Sequence, residues 1–288
     1  MIAKTMSSRK RNKKIAGLCA RYFFLVLFCL FFLFPFVYLV SKGFFANSEP
    51  LIPIKLFPSF LSIDGYRYVF SLSVLRYFKN TVIVIVSNCI LIPLSSSLCA
   101  FGFSKIKWQG REFFFGVVLA TMMLPAMAIQ VPLYIMYTRI NWIGTLWPLI
   151  VPAAFGGGAF NIFLLRQFMK NVPNDILNAA KIDGATLIRI FFQLTIPLCM
   201  PIIIFIMVTT FFGCWNDFMG PIMFLGINDK NYTLAVAIYL NFVKSSTVYI
   251  HENANMAIGT LMIVPPIILF FIFQKQLLSG LNLGAIKG

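Results

Sequence analysis

Few residues in this sequence could do covalent or acid–base chemistry. Its 288 residues include eight Asp and Glu and a single histidine, His251. No HExxH pair, Ser/His arrangement or paired aspartates occur in the apolar segments, so an intramembrane enzyme is a poor fit. His251 has no cysteine or second histidine beside it and reads as an ordinary loop residue rather than a zinc ligand. Cys29, Cys89, Cys99, Cys199 and Cys214 fall in apolar runs and Cys19 just before one, without a CxxC pair, the pattern of small buried hydrophobes. No GxxxxGK[ST] stretch is present, so the chain is expected not to hydrolyse ATP itself, and no cofactor is implied. Gly156-Gly157-Gly158 lacks the lysine of such a loop and sits in an apolar span, where close helix packing is its expected use.

Two constellations remain. The first is Trp215-Asn216-Asp217, late in an apolar run. A charge in hydrocarbon demands a partner or water, so Asp217 reads either as a cavity or gate position near the outer mouth or as a solvated acid beside an interfacial tryptophan, and both readings stand. Asn88, Asn161 and Gln130 could face a polar pathway, although helix-to-helix hydrogen bonding is the more frequent use of such residues. The second is Val172-Pro173-Asn174-Asp175-Ile176-Leu177-Asn178-Ala179-Ala180-Lys181-Ile182-Asp183-Gly184-Ala185, continuing to Leu194-Thr195-Ile196-Pro197. Proline and aspartate make a good helix start, and Gly184 after Asp183 can take a left-handed conformation and end the helix. Ala179, Ala180 and Gly184 would form a small-residue face that another protein could approach closely. A short helix tethered at both ends to membrane spans suits the transmission of a partner's rigid-body movement, but the spacing alone fits equally well a helix packing on its own bundle.

The elements that must position these residues are membrane helices. The chain is 60% hydrophobic and 11% charged, with a mean hydropathy of +0.88, more apolar surface than a soluble fold could hide. A bilayer core needs about 20 apolar residues per helix, and six stretches supply them, near 22–41, 81–103, 113–137, 143–165, 198–224 and 255–274. The fourth is the least regular, because the three glycines interrupt it. Pro35, Pro93, Pro125, Pro132, Pro265 and Pro266 lie inside spans and are expected to bend them. The basic N-terminal run before 22–41 has the charge order of a signal peptide, but no small-residue cleavage site follows, so this stretch reads as an uncleaved first span.

Of the 24 Lys and Arg, twice as many fall on one side of these spans as on the other. The richer side holds the N-terminal tail, Lys105, Lys107, Arg111, Arg166, Lys170, Lys181, Arg189, Lys275 and Lys287. It is expected to be cytoplasmic, with both termini and the 166–197 loop inside. A net charge of +16 distributed in this way suits orientation and anionic lipid headgroups, not nucleic acid. The expected organisation is a basic tail over 1–21, a first span with an external amphipathic stretch over 22–80, in which 66–78 is the more helical run, and a core of five spans over 81–288.

The loop also resembles the EAA loop of binding-protein-dependent ABC importer permeases. Ala179, Ala180, Gly184, Leu194, Ile196 and Pro197 keep that pattern's spacing, while Asn178 stands where the family usually has glutamate and so removes a charge. Asn80-Thr81, Pro132-Leu133-Tyr134, Phe163-Leu164-Leu165-Arg166-Gln167-Phe168, Trp215-Asn216-Asp217-Phe218, Asn255-Met256-Ala257 and the C-terminal 280–288 run extend the likeness over almost the whole chain from about residue 60. They resemble the second membrane subunit of maltose-type sugar importers. The resemblance implies the all-α type I importer permease fold, with six spans, cytoplasmic termini and a cytoplasmic coupling helix, in a bacterial or archaeal cell (inner) membrane. It also implies a second homologous permease, a cytoplasmic ATPase dimer whose groove receives the loop helix, and an extracytoplasmic solute-binding protein that delivers a sugar. Pro173, Asn178, Ala179, Ala180, Asp183, Gly184 and Pro197 would then be coupling residues, and Trp215, Asn216 and Asp217 translocation-path or gate residues. An ion-gradient-driven carrier is the alternative, which the scarcity of acids within the spans disfavours.

Overall fold

The computed structural model describes residues 8–49, 55–226, 228–243 and 252–283; His251 and residues 284–288 lie outside them. Those residues are helical almost throughout. In order they form α1 (Ser8–Gly43), α2 (Asp64–Ser71), α3 (Val74–Lys105), α4 (Arg111–Thr121), α5 (Ala126–Arg139), α6 (Trp147–Ile150) with a 3₁₀ turn at Val151–Ala154, and α7 (Ala159–Lys170). There follow α8 (Asn174–Ile182), α9 (Leu187–Ile190), a π-helical turn at Phe191–Thr195, α10 (Ile196–Leu198), α11 (Met200–Asn216), α12 (Met219–Phe224), α13 (Leu234–Ile238) and α14 (Glu252–Leu283).

Among the described residues, four segments are long and apolar enough to cross a membrane: Gly17–Gly43, Val74–Lys105, Trp147–Lys170 and Glu252–Gln276. The count reaches six when two bent pairs each count as one span, α4 with α5 (96°) and Leu187–Leu198 with α11 (77°). The expected third span, 113–137, is therefore a broken one. Pro125 lacks an N–H and disfavours helical φ/ψ at Leu124; it stands extended at the start of α5 (φ −62°, ψ 128°) instead of kinking a continuous helix. Pro35, Pro93, Pro132, Pro265 and Pro266 do lie within helices. The expected 198–224 span stops at Asn216, and α12 follows as a separate helix. The helical run expected over 66–78 ends at Ser71, and α3 begins at Val74 after Ser73 takes a left-handed conformation (φ 57°).

The contacts divide the chain into two compact units. One comprises the chain to Leu72 with Ser246–Val264; the other comprises Ser73–Ser245 and Pro265–Gly288. The boundary thus falls at Leu72 rather than 80, and the first half of α14 joins the N-terminal unit. The 1–21 tail is not set apart from the first span, since α1 already begins at Ser8. Inside the first unit, Asn253 donates through Nδ2 to the Phe45 carbonyl (2.9 Å) and to Asn47 Oδ1 (2.8 Å). Gly65 lets α2 lie against the Asn253 backbone, where a Cβ would come within 2.8 Å of its carbonyl oxygen. The apolar side chains of α1 from Tyr22 to Phe34 are exposed around its circumference, as befits a helix solvated by lipid.

In the second unit α3 is the central strut, packed on α7 and α11. Ala100, Phe101, Leu165, Met169, Ile202, Ile203 and Ile206 form its core. Polar side chains fasten the irregular segments to it: Asn80 donates to the carbonyls of Lys230 and Tyr232 (2.9 and 3.0 Å), Asn88 to Leu149 O (2.9 Å) and Ser95 to Ala153 O (2.7 Å). The Asn88 and Ser95 bonds satisfy backbone acceptors where the Trp147–Lys170 span is irregular, and Asn80 ties the 229–232 turn to α3.

Candidate functional site

The segment that leaves α7 and returns in α11 is organised by local rules that its sequence states. Pro173 is extended (φ −58°, ψ 132°) at the N-cap of α8, and Asp175 lies in the first turn, where an acid suits the free amides. At the other end Gly184 is left-handed (φ +80°). The Gly184 amide bonds the Lys181 carbonyl (3.0 Å) and the Ala185 amide the Ala180 carbonyl (2.9 Å), the two bonds of a Schellman termination. Thr186 then caps α9 by accepting from the Arg189 amide. A wide π turn carries the chain to exposed Pro197 in α10, and the chain bends at buried Cys199 into α11.

Burial divides α8 lengthwise. Leu177 is buried in the cluster that contains Val172, Ile190, Phe191 and Cys199, and Ala180 packs against it. Asp175, Asn178, Ala179 and Ile182, at helical spacing i, i+3, i+4, i+7, form an exposed stripe that Asp183 and Gly184 continue. Ile182 is 86% exposed. The small face expected of Ala179, Ala180 and Gly184 together is thus split: successive residues on a helix point about 100° apart, and Ala180 turns inward. It still lines, with Asp183, Ala185, Arg189, Ile190, Gln193 and Leu194, a cleft of about 200 Å³ between α8 and the returning chain. Ile182 is exposed yet absent from the expected coupling residues; its place in the last turn, off the inward row of Leu177 and Ala180, is the signal that marks it.

Leu177 is the anchor of this helix. Leu177→Ala should loosen α8 by about 2–5 kcal/mol, read as amide exchange over 174–182 accelerated roughly 30-fold or more. Exchange at the native rate would show that the burial of Leu177 does not hold the loop.

Lys105, at the end of α3, donates to the Val172 carbonyl (2.6 Å) and to Asn174 Oδ1 (3.0 Å). Arg166, 3% exposed, donates from Nε to the Phe103 carbonyl (3.0 Å) and from Nη2 to both oxygens of Glu112 (2.7 Å each).

Trp215, Asn216 and Asp217 lie at the far end of α11, a 17-residue helix and so about 25 Å from the loop. Trp215 is buried, stacked on Phe211 and edge-on to Phe78. Asn216 is exposed and donates back to the Phe212 carbonyl (2.9 Å). Asp217 Oδ1 accepts from the Gly220 amide (3.1 Å), which fixes the turn into α12. Asp217 also lines a cavity of about 250 Å³ with Thr81, Asn88, Cys214 and Thr233, walled by Pro148, Pro221 and Phe224. The Thr233 hydroxyl is buried there without a hydrogen-bond partner. Of the three residues, Asp217 is the one that lines this cavity, whose wall mixes polar and apolar side chains. Asn161 bonds its own turn at Gly157 O (2.7 Å), and Asn88 ties two elements as described.

Residues 92–282 match the family described as binding-protein-dependent transport system inner membrane component. The chain is 30% identical to the arabinooligosaccharides transport system permease protein AraQ of Halalkalibacterium halodurans, over 88% of this chain and 91% of that one. It is 28% identical to the probable ABC transporter permease protein YurM of Bacillus subtilis, over 98% and 93%, and 27% identical to the galactooligosaccharides transport system permease protein GanQ of the same organism, over 98% and 100%. Its fold superposes with a TM-score of 0.80 and 21% identity on a chain from the crystal structure of a bacterial ABC transporter involved in the import of the acidic polysaccharide alginate, covering 95% of this chain and 99% of that one.

Proposed function

We propose that this chain, which belongs to the family of binding-protein-dependent transport system inner membrane components, is the permease subunit through which an ATP-driven importer passes an oligosaccharide. It is a multi-pass membrane protein and a transport component. The relatives at 27–30% identity over nearly their full lengths carry names of arabino- and galacto-oligosaccharide systems, and this supports a sugar as the cargo. The family match carries the ATP-driven reading over an ion-gradient-driven carrier.

In this reading the exposed stripe of α8, namely Asn178, Ala179 and Ile182 with Asp183 and Gly184, docks on a cytoplasmic ATPase. The supporting observation is that the stripe is exposed while the opposite side of the same helix is fixed in the permease core. Pro173 and Pro197 bracket the loop, and Ala180 supports the docking face from beneath. Asn178 supplies a neutral hydrogen-bonding group where a carboxylate would have added a charge. A second permease completes the pathway, an extracytoplasmic solute-binding protein delivers the sugar, ATP hydrolysis belongs to the partner ATPase, and both termini face the cytoplasm of a bacterial or archaeal cell. Asp217 acts as a polar gate at the opposite end of α11, with Trp215 as its packed support and Asn216 beside it.

Purification from the native membrane tests the assembly. Recovery of a second permease and an ATPase, with hydrolysis stimulated by a solute-binding protein, supports this reading; a lone chain with ion-driven uptake overturns it. Asp217→Asn tests the gate. Asparagine can accept the same Gly220 amide bond but carries no charge, so assembly should persist while sugar uptake falls roughly tenfold. Wild-type uptake would assign Asp217 to capping α12 alone.

A further inference from the structure

Arg166 is the least exposed cation of the second unit among the described residues, and it lies where α7 gives way to the coupling loop. Three groups from two elements, α3 and α4, converge on its guanidinium. The Phe103 carbonyl is one of the last four acceptors of α3, which have no partner within that helix, and Arg166 Nε supplies one at 3.0 Å. The Glu112 carboxylate, in the first turn of α4, receives Nη2 at 2.7 Å on both oxygens, and its Oε1 is shared with Arg111. The ring of Phe115, one turn further along α4, lies 3.8 Å from the guanidinium carbon. A cation at the C-terminal end of α3 also suits the negative end of its dipole. On the other side of the same helix end, Lys105 ties α3 to the first turn of the loop at Val172 and Asn174.

Stability alone is a weak account of this arrangement. Arg166 is buried but the Glu112 side chain is 62% exposed, so solvent screens the pair and it adds little net stability; what it adds is geometric definition. Leucine or methionine could fill the space beneath Phe115 in several registers. A guanidinium that must meet a carbonyl on α3 and a carboxylate on α4 allows one. Thrust on α8 reaches the bundle through α7 and the last turn of α3, and any slip between these two helices would dissipate it.

We infer that Arg166 is a positioning residue for coupling, with Glu112 as its counter-charge and Lys105 as a second tie. Together they lock α7, α4 and the loop to the end of α3, so that movement of α8 is handed to the central helix of the permease. The inference rests on the importer reading above and names a device within it.

The test uses the assembly purified from native membranes and reconstituted in liposomes, with three variants: Arg166→Met combined with Glu112→Gln, which removes the pair together and leaves only the part-exposed Arg111 without its carboxylate; Arg166→Lys, which keeps the charge but not the planar fork; and Lys105→Met. The expected result for the first two is wild-type assembly yield and thermal midpoint, with the ratio of binding-protein-stimulated to basal ATPase activity lowered about fivefold or more. Lys105→Met should lower the same ratio by a smaller factor. An assembled Arg166 variant with the wild-type ratio would overturn the inference. If neither Arg166 variant assembles, Lys105→Met decides, because it leaves the Arg166 cluster intact; an unchanged ratio there would overturn it as well. A wild-type preparation that holds no ATPase would refute the importer reading instead, so the two failures are distinct.

Discussion

Replacing Gly184 by valine is expected to remove most of the solute-stimulated ATPase activity of the assembly while the chain still inserts in the membrane. Gly184 is left-handed at φ +80°, and a Cβ built there meets nothing within 4 Å. The penalty therefore comes from the backbone, not from a collision. A left-handed L-residue costs about 1–2 kcal/mol, enough to shift the ratio of capped to frayed loop by roughly 5–30-fold, and β-branched valine is at the unfavourable end. Loss of the turn releases the Ala180 and Lys181 carbonyls and swings Ile182 and Asp183, two of the five residues of the proposed docking surface, away from their places. Asparagine visits the left-handed region more readily than alanine, so the expected order of activity is glycine, asparagine, alanine, valine. Were the small size of Gly184 what the ATPase reads, asparagine would instead fall below alanine. Stimulated ATPase activity and sugar uptake across the four proteins separate these cases.

How much of the loop was legible follows from how local its rules are. Pro173, Asp175 and Gly184 start and stop α8 by cap chemistry that operates within a turn, and the structure places the start and the stop where the sequence does. Which of Ala179 and Ala180 faces outward is a different kind of question. Both are small and adjacent, and the choice is made by Leu177 joining a buried cluster with Phe101 and Ile202 from helices far away in sequence.

The spans show the same division. Their hydropathy is a local sum, so their existence and rough extent could be read, whereas Pro125 reads equally as a kink or a break until its neighbours are known. The 96° break after α4 and the separate α12, started by Asp217 accepting from Gly220, are outcomes of packing and capping that a window of apolar residues does not encode. Arg166 was counted on sequence as one more cytoplasmic charge. It pairs with Glu112, 54 residues earlier, and a pair at that separation leaves no mark in either local segment. The division into units is the least local feature of all, since it joins α1 and α2 to the first half of α14.

The three glycines that interrupt the fourth span give the sharpest stability test, because all have positive φ and they differ in surroundings. Gly156, Gly157 and Gly158 are all left-handed, at φ +89°, +62° and +94°. At Gly156 an added Cβ would lie no nearer than 3.5 Å to a neighbour, whereas at Gly157 it would stand 2.5 Å from the Ile92 carbonyl oxygen and 3.0 Å from the Ile92 Cα. Those atoms are backbone of α3 and cannot swing aside as a side chain would. Gly156→Ala should therefore lose only the conformational term, about 1–2 kcal/mol. Gly157→Ala should add an overpacking term of about 1–3 kcal/mol and push the 151–158 segment off α3, stretching the Ser95 bond to Ala153 and the Asn88 bond to Leu149. Gly213→Ala, in the interior of α11 with nothing within 4 Å, is the control and should be neutral or stabilising by up to about 1 kcal/mol. Thermal midpoints in mild detergent should fall in the order Gly213→Ala, Gly156→Ala, Gly157→Ala. Equal losses at 156 and 157 would mean that the backbone of this segment does not rest on Ile92, and that the triple glycine serves only the left-handed path of the chain.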